Sequence, residues 1–274
     1  MKFTKMHGCK NDFVMVNCFH EKGKIFDSNK LAAEICDRRS GVGADGLILI
    51  QPSEKAEAFM RIYNSDGSED TMCGNGIRCT AKYFYDHISN EKTEFSIETL
   101  SGVKKISLEI SEGKTKTVSV DMGIPPVTSE MPEAINVHGR KLKFFGIDTG
   151  TDHAVYFIED NPEIKDIMKW SGSEFAQEGI YFENHERFPE RVSSDFVEII
   201  SRDEINMRVF ERGCGETMAC GTGATASVFA GVISNKLNRE VLVHLRGGDL
   251  KIKVAPDNRC YLIGGAVEVF SGEY

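Results

Sequence analysis

Cys73-Gly74-Asn75-Gly76-Ile77-Arg78 is the stretch from which the fold can be predicted. A cysteine is followed by two glycines that bracket an asparagine, and then by residues that favour a helix. This pattern predicts a loop of exposed backbone N–H groups that runs into a helix N-terminus. Such a terminus binds anions, and it can lower the pKa of a thiol.

The same arrangement recurs later in the chain, at Cys220-Gly221-Thr222-Gly223-Ala224. The repeat extends beyond the glycines, because Met60-Arg61-Ile62-Tyr63 aligns without a gap with Met207-Arg208-Val209-Phe210. The offset is 207 − 60 = 147 for these segments and 220 − 73 = 147 for the cysteines. The chain therefore contains two copies of one structural unit, and each copy presents a cysteine.

Composition limits the class of protein. Of the 274 residues, 41% are hydrophobic and 27% are charged, as in an ordinary globular protein. The formal net charge of −9 argues against nucleic acid or an anionic membrane as the main partner. The first residues contain no apolar signal-peptide core, and no apolar run approaches the length of a membrane span. We therefore expect a cytoplasmic protein.

The cysteines and histidines do not follow a metal-binding pattern. There are eight cysteines, none of them spaced as C-x-x-C, and seven histidines, none of them spaced as H-x-x-x-H. A zinc ribbon and a thioredoxin-like redox site are thereby excluded as sequence patterns. We expect free thiols rather than structural disulfides, and no metal site.

Four helices can be placed on the sequence. Ser28 can act as the N-cap of the first. The two cysteine loops predict helices over about residues 74–85 and 224–233. Asn161 followed by Pro162 predicts another helix, which ends near residue 170. Most of the remaining chain alternates between apolar and polar residues or is rich in β-branched residues, which predicts strands.

These elements predict an α+β fold with two similar domains. A regular β-α-β alternation is missing, which argues against a doubly wound parallel sheet. Gly123-Ile124-Pro125-Pro126 interrupts the pattern and is the best candidate for the boundary, giving domains over residues 1–122 and 123–265. Two facing copies would bring both cysteine loops to one interdomain cleft, a common place for a ligand site.

Two facing cysteines favour proton transfer at an amino acid Cα. A racemase removes a proton from one face of Cα and delivers a proton to the other, so Cys73 and Cys220 could act as base and acid without a cofactor. The negative charge that develops on the adjacent carboxylate needs hydrogen-bond donors, which backbone N–H groups can supply. The candidate donors are Gly74, Asn75, Gly221 and Thr222.

Other interpretations of the two cysteines remain open. Both could be small buried residues at tight helix starts. One could be a nucleophile or redox thiol, with His153 as its partner, but the second copy would then have no role. The loops could also bind a small acidic ligand without catalysis, which would explain the glycines but not the thiols.

Glu211 and Arg212 precede the second cysteine, where the first copy has Asn64-Ser65-Asp66. In isolation they could form a solvated salt bridge in a turn. At equivalent positions before both cysteines they should instead border the site. Arg212 could then bind a carboxylate in a bidentate manner and Glu211 an ammonium group, which suits a second amino acid head group on the substrate.

Further motifs run over nearly the whole chain, from Lys5-Met6-His7-Gly8 and Asn11-Asp12-Phe13-Val14 through Gly41-Val42-Gly43-Ala44-Asp45-Gly46, Asn64-Ser65-Asp66-Gly67-Ser68-Glu69, His185-Glu186-Arg187-Phe188-Pro189-Glu190-Arg191-Val192 and Glu211-Arg212-Gly213 to Gly247-Gly248. Together with the cysteine loops they closely resemble the diaminopimelate epimerase family of cofactor-independent isomerases. The resemblance implies interconversion of LL- and meso-diaminopimelate, on the route to lysine and peptidoglycan.

The resemblance also implies an architecture and a set of site residues. Each domain would be a curved, mostly antiparallel sheet around a central helix, and residues 266–274 would return to the first domain. A homodimer is expected. Cys73, Cys220, Glu211 and His153 fall on catalytic positions of the family. The positions that bind substrate correspond to Asn11, Asn64, Gly74, Asn75, Glu211, Arg212, Gly221 and Thr222.

The chain departs from the family pattern at two further binding positions. Thr151 and Ser193 stand where asparagine is usual, and both side chains are shorter and lack the amide N–H donors. A milder departure is Lys10, where glycine is commonest. These changes leave open a related substrate, such as lanthionine or another single amino acid.

Overall fold

A computed structural model describes residues 1–19 and 27–274. The chain divides into two compact units. The first unit comprises Met1–Asp121 and Ile263–Tyr274, and the second unit comprises Met122–Leu262. Within the described residues, none of the helices combines the length and the apolar character needed to span a membrane.

In its described residues the first unit combines two helices with a larger number of strands. The helices are α1 (Ser28–Ile35) and α2 (Gly74–His87). The strands are β1 (Lys2–Gly8), β2 (Asn11–Asn17), β3 (Gly46–Gln51), β4 (Ala58–Asn64), β5 (Glu69–Asp70), β6 (Glu94–Thr99), β7 (Gly102–Ser111), β8 (Lys114–Gly123) and β18 (Val267–Glu273).

The second unit has the same composition of elements. Its helices are α3 (Gly172–Glu183) and α4 (Gly221–Ile233). Its strands are β9 (Glu133–Val137), β10 (Arg140–Asp148), β11 (Asp152–Phe157), β12 (Ser193–Ser201), β13 (Glu204–Glu211), β14 (Gly215–Glu216), β15 (Glu240–Leu245), β16 (Gly248–Val254) and β17 (Cys260–Gly264). The chain passes between the units within β8 and within β17.

The two units share one sheet topology. In the first unit β1 and β2 are antiparallel, β2 and β3 parallel, β3 and β4 antiparallel, β4 and β6 parallel, and β6 and β7 antiparallel. In the second unit β10, β11, β12, β13, β15 and β16 follow the same sequence of pairings. The predicted α+β class with two similar, mostly antiparallel halves is confirmed.

The strand register shows which residues of the two units are equivalent. Phe13 lies opposite Gly46 at the start of the β2–β3 pair, and His153 lies opposite Ser193 at the start of the β11–β12 pair. The offset of 147 residues relates the segments that follow. The two units thus have equivalent residues at Asn11 and Thr151, Ile48 and Asp195, Asn64 and Glu211, Cys73 and Cys220, and Arg78 and Thr225.

Each cysteine begins a helix that is buried on most sides. In α2 the buried residues include the whole stretch 74–81, and in α4 the stretch 223–231 is buried without a break. Helix α2 packs on β1 to β4, and α4 packs on β10, β11, β12 and β16. A helix that is buried all round belongs to the core of its unit, so the sheet fixes where each cysteine lies.

The predicted helix over residues 161–170 is wrong. This segment forms short 3₁₀ turns at Ile158–Asp160, Pro162–Ile164 and Ile167–Lys169. The Asn161 side chain binds the backbone instead: its Oδ1 accepts from the N–H of Lys143 at 2.7 Å and its Nδ2 donates to the Phe157 carbonyl at 2.8 Å. These bonds tie the turn to its neighbours and replace the helical pattern.

The helix of this region, α3, begins ten residues later and was missed. Ser171 is its N-cap, and Ser171 with Glu174 forms a capping box in which each side chain binds the backbone N–H of the other. The signal was present in the sequence as a serine followed three residues later by glutamate. A smaller correction applies to α1, where Asp27 and not Ser28 is the N-cap and accepts from the N–H of Lys30 at 2.9 Å.

We predict that Gly179→Ala destabilises the protein. Alanine in place of glycine normally stabilises a helix interior, but a Cβ at Gly179 would lie 2.1 Å from the Phe210 ring. Since that ring is buried, it cannot move away cheaply, and we expect urea denaturation to show a loss of about 1–3 kcal/mol in the free energy of unfolding.

Gly172→Ala is the matched control in the same helix. The nearest atom to a Cβ at Gly172 is Glu216 Oε2 at 3.9 Å. We expect its free energy of unfolding to change by less than about 0.5 kcal/mol. A Gly179→Ala protein as stable as this control would contradict the packing described for α3.

Candidate active site

Cys73 is the N-cap residue of α2. Its backbone is extended, with φ −134° and ψ 123°, and its Sγ accepts a hydrogen bond from the N–H of Gly76 at 3.5 Å. A sulfur atom thus takes the place of the oxygen that usually caps a helix. The thiol is partly exposed, so it lies at a helix N-terminus and within reach of a ligand.

Two amides surround the first cysteine. Asn11 Oδ1 lies 3.6 Å from Cys73 Sγ and accepts from Asn75 Nδ2 at 3.1 Å. Asn11 Nδ2 donates to Asp45 Oδ2 at 2.8 Å. The structure therefore brings together Asn11, Cys73 and Asn75 of the predicted residues. Asn64, at the end of β4, donates from Nδ2 to the Ser68 hydroxyl at 3.0 Å.

Cys220 repeats this geometry at the start of α4. Its φ is −123° and its ψ 111°, and its Sγ accepts from the N–H of Gly223 at 3.4 Å. The Thr222 hydroxyl lies 3.2 Å from the sulfur. Cys220 is only 4% exposed, so the second thiol is more deeply buried than the first.

Close contact between helix and sheet explains one glycine in each loop. A Cβ at Gly223 would lie 2.5 Å from Asp195 Oδ1, and a Cβ at Gly76 would lie 2.9 Å from Ile48 Cδ1. Ile48 and Asp195 are equivalent residues, so the same contact carries an apolar group in the first unit and a carboxylate in the second.

Glu211 lies beside the second thiol. It accepts hydrogen bonds from the Thr217 hydroxyl and from Cys220. Burial of its carboxyl group raises the pKa of Glu211 above its usual value, although these two hydrogen bonds act in the opposite direction. A carboxyl group with a raised pKa, hydrogen-bonded to a thiol, can exchange a proton with it.

The thiol of Cys220 is held in its protonated form. Burial raises the pKa of Cys220 well above its usual value, and the charges of Glu211 and Asp195 raise it further. The hydrogen bonds from Thr222 and from the N–H of Gly223 lower the pKa but do not compensate. The prediction that a helix N-terminus lowers the thiol pKa is therefore wrong for Cys220, because burial outweighs the helix terminus.

His153 forms a fully buried pair with Asp195. The distance from His153 Nδ1 to Asp195 Oδ2 is 2.8 Å, and His153 Nε2 lies 3.1 Å from the Thr151 hydroxyl. Burial by itself would lower the pKa of His153, but the Asp195 carboxylate outweighs it and raises this pKa above its usual value. Thr151 and Asp195 thus fix the orientation of the imidazole ring.

Ser193 supports the segment that carries Arg212. The Ser193 hydroxyl accepts from the backbone N–H of Arg212 at 3.1 Å. The next N–H, of Gly213, donates to Glu183 Oε1 at 2.7 Å. The second unit therefore groups Thr151 with His153, Ser193 with Arg212, and Glu211 with Cys220 and Thr222. All predicted site residues lie at strand ends or helix starts of their own unit.

Two buried charged residues of the site region were missed in the sequence. Asp195 lies two residues after Ser193 in the buried first half of β12, directly before Phe196 and Val197, and a carboxylate in a buried position needs a polar partner. Arg78 follows the first cysteine loop and is fully buried. Among residues 1–19 and 27–274, no group of three or more His, Cys, Asp or Glu side chains is arranged to hold a metal ion.

We predict that Asp195→Asn lowers the pKa of His153. The substitution removes the carboxylate but keeps the burial, so the pKa should fall below the usual value of about 6.5. In the native protein the raised pKa of His153 means that protonation of this histidine stabilises the fold in full below about pH 6.5, and this contribution is lost as pH rises through the pKa of His153.

The measurement is an NMR titration of the histidine ring protons. His153→Gln identifies the resonance that belongs to His153. The other histidines serve as internal controls, and we expect their titration to be unchanged. A pKa of His153 that stays above about 6.5 in Asp195→Asn would contradict the role given to the carboxylate.

Comparison with known proteins matches most of the chain to one family. The family model for diaminopimelate epimerase matches residues 3–128 and 145–269. The diaminopimelate epimerase of Agathobacter rectalis is 47% identical over 292 residues, covering 100% of this chain and 99% of the relative. That of Moorella thermoacetica is 44% identical over 286 residues, with the same coverage.

A solved structure shares the fold at low sequence identity. It is a hydroxyproline epimerase from Agrobacterium vitis with bound trans-4-hydroxy-L-proline, with a TM-score of 0.74 and 13% identity, covering 99% of this chain and 91% of that chain. At this identity the likeness supports the fold alone, whereas the family model and the full-length relatives assign the family. The chain belongs to the diaminopimelate epimerase family.

Proposed function

We propose that this chain is an isomerase that interconverts LL- and meso-2,6-diaminopimelate by proton transfer at Cα. The observation that carries the proposal is the pair of cysteines, each the N-cap of the central helix in one of two units with the same topology. Relatives named diaminopimelate epimerase, aligned over their full length, support this substrate. The product would serve lysine and peptidoglycan precursor synthesis.

In the proposed reaction one thiolate removes the Cα proton and the other thiol delivers a proton to the opposite face. Cys73 and Cys220 exchange these roles in the reverse direction, which requires no cofactor. Glu211 would act as a proton-exchange partner for Cys220, because its carboxyl group accepts a hydrogen bond from that thiol. His153 would assist as a second polar group at the reacting centre.

The helix starts would stabilise the charge that develops during the reaction. When the Cα proton leaves, negative charge moves onto the substrate carboxylate. The first N–H groups of a helix have no partner within the helix and carry the positive end of its dipole. The N–H groups at Gly74, Asn75, Gly221 and Thr222 would therefore bind this carboxylate more tightly as the reaction proceeds.

The remaining residues would recognise the distal amino acid head group. Arg212 would bind the distal carboxylate, while Glu211, which lies beside the Cys220 thiol, would bind an ammonium group close to the reacting centre. Thr151 and Ser193 already use their hydroxyls within the protein, in bonds to His153 and to the N–H of Arg212. In the proposal they shape the site by fixing these neighbours.

The proposal is tested by isotope exchange at Cα. The protein is incubated in heavy water, without added cofactor, with LL-diaminopimelate, lanthionine and single amino acids, and deuterium at Cα is followed by mass spectrometry. We expect exchange with diaminopimelate. Exchange with another amino acid but not with diaminopimelate would change the assigned substrate. No exchange with any of them would overturn the proposed epimerase activity.

Single cysteine variants test the two-base mechanism. Cys73→Ala and Cys220→Ala should each lower kcat by at least about 100-fold, because each removes one of the two proton-transfer groups. Cys18→Ala is the control, since this half-buried thiol lies outside the site. Either site variant working at the full rate would exclude its thiol from the reaction.

We further propose a cytosolic homodimer. The eight cysteines, none of them in a disulfide among the described residues, support a reducing compartment. The last strand, β18, pairs with β1 and carries exposed apolar side chains at Val267, Val269 and Phe270, which are 49%, 54% and 48% exposed. Edge strands with exposed apolar side chains tend to pair with another chain, and a second copy is the proposed partner.

Val269→Glu tests this interface. Burying a charge in an apolar contact is costly, so we expect light scattering to report a monomer at concentrations at which the unchanged protein is a dimer. Val103→Glu is the control, because Val103 is 46% exposed on β7. If both variants remained dimers, the interface would not lie on β18. If the unchanged protein were a monomer, the proposed dimer would be excluded.

A further inference from the structure

Two asparagine amides beside Cys73 form a chain of hydrogen bonds between a cation and a carboxylate. Arg78 Nη2 donates to Asn75 Oδ1 at 2.9 Å, and Asn75 Nδ2 donates to Asn11 Oδ1 at 3.1 Å. Asn11 Nδ2 then donates to Asp45 Oδ2 at 2.8 Å. The Cys73 sulfur lies 3.6 Å from Asn11 Oδ1 and donates to it.

The two ends of this chain fix the direction of both amides. A side-chain amide presents donors on one side and an acceptor on the other, and half a turn of the group exchanges them. A guanidinium group only donates, so Arg78 must face the oxygen of Asn75. An ionised carboxylate only accepts, so Asp45 must face the nitrogen of Asn11. The oxygen of Asn11 is therefore left on the side of Asn75 and Cys73.

The Asp45 carboxylate is itself held in place. Its Oδ1 accepts from Arg38 Nη2 at 2.7 Å, and its Oδ2 accepts from the backbone N–H of Asp12 at 3.1 Å as well as from Asn11. The Asp12 carboxylate binds Arg38 and Lys5, each at 2.7 Å. Asp45 is therefore a fixed acceptor for Asn11, although it lies at the surface.

The loop that carries Asp45 is held by bonds that do not involve this side chain. The backbone N–H of Asp45 donates to the Asp12 carbonyl at 3.0 Å, and its carbonyl accepts from the N–H of Ser65 at 3.1 Å. The N–H of Ala44 donates to the Cys36 carbonyl at 3.0 Å. The path of the loop thus has its own support, and the Asp45 carboxylate is available to orient Asn11.

The second unit has neither an amide nor a carboxylate at the equivalent positions. Thr151 occupies the position of Asn11, and the strand register places Val192 at the position of Asp45. A hydroxyl group rotates to donate or to accept, so Thr151 needs no carboxylate to set its direction. The carboxylate is thus present in the unit in which an amide has to be oriented.

We propose that Asp45 is a positioning residue that acts through Asn11, holding the amide oxygen of Asn11 towards the Cys73 thiol. An amide oxygen accepts the S–H bond, whereas an amide N–H in the same place would stabilise the thiolate. The use of this contact in proton transfer rests on the proposed function, where the oxygen would hold the S–H bond that forms when Cys73 takes the Cα proton. The orientation of the amide does not, because it is a property of the protein without substrate.

The first test measures the ionisation of Cys73 in Asp45→Ala. The protein is alkylated with iodoacetamide over a range of pH, and peptide mass spectrometry follows the rate at Cys73. Only the thiolate reacts, so the rate profile gives a midpoint. Loss of Asp45 allows the Asn11 amide to turn an N–H towards the sulfur, so we expect the midpoint to fall by about half a pH unit or more. An unchanged midpoint would overturn the proposal.

The same substitution in an Asn11→Ala protein separates the amide from the charge of Asp45. Removal of a negative charge can also lower the pKa of a thiol, but that effect does not need Asn11. In the Asn11→Ala background we expect Asp45→Ala to move the midpoint by less than about 0.2 pH unit. An equal fall in both backgrounds would mean that the charge acts directly and would overturn the proposal. Glu98→Ala is the control, because this carboxylate of the same unit binds Lys55 at 2.9 Å.

A measurement on the unchanged protein covers the case in which Asp45→Ala does not fold. NMR follows the exchange of the Asn11 Nδ2 protons with water, and Asn11→Ala identifies their signals. We expect the proton bound to Asp45 to exchange more slowly than the side-chain amide protons of the exposed Asn90. Equally fast exchange would mean that the carboxylate does not hold the amide, which would overturn the proposal.

Turnover gives a further readout of the positioning role. Asp45→Ala should lower kcat/KM for Cα exchange about 10-fold, with little further loss when it is added to Asn11→Ala. A purely structural role predicts instead a lower melting temperature and losses that multiply in the double variant, which would overturn the proposal. If the unchanged protein showed no exchange, the proposed function would fail, and the alkylation results would still decide the role of Asp45.

Discussion

The start of each central helix depends on a cysteine sulfur in place of a capping oxygen. The first N–H groups of a buried helix must find an acceptor, and at Cys73 and Cys220 the sulfur takes this role through the third residue of the helix. That bond fixes the thiol at the end of the helix. Each helix also approaches its sheet closely at this point, which leaves no space for a Cβ at Gly76 or Gly223.

On this common backbone the two units differ in charge. The repeat preserves strand pairing, register and helix starts, because all of these are needed to fold either unit. It does not preserve all the side chains near the helix starts. The first unit has Ile48 and Arg78 at positions where the second unit has Asp195 and Thr225. A symmetric scaffold with unequal charges suits a reaction in which two like groups begin in opposite protonation states.

The repeat was predictable from the sequence because the loops keep their glycines at a fixed spacing. The family resemblance, and not the repeat, identified site residues away from the cysteine loops, such as Thr151 and Ser193. Helix α3 was missed because Asn161-Pro162 reads as a helix start, whereas the Asn161 side chain is used to bind the backbone of other segments. The raised pKa of Cys220 could not be predicted either, because it depends on the burial of the thiol and on the charge of Asp195. The strand register of β12 places Asp195 next to the Cys220 loop.

The return of β18 to the first unit has a consequence for the order of folding. Strand β1 is synthesised well before its partner β18, in which Glu273 lies opposite Lys2. The second unit, Met122–Leu262, is continuous and emerges complete before β18. A ribosome-bound chain can therefore finish the second unit first, while the first unit keeps an open sheet edge at β1 until β18 is made.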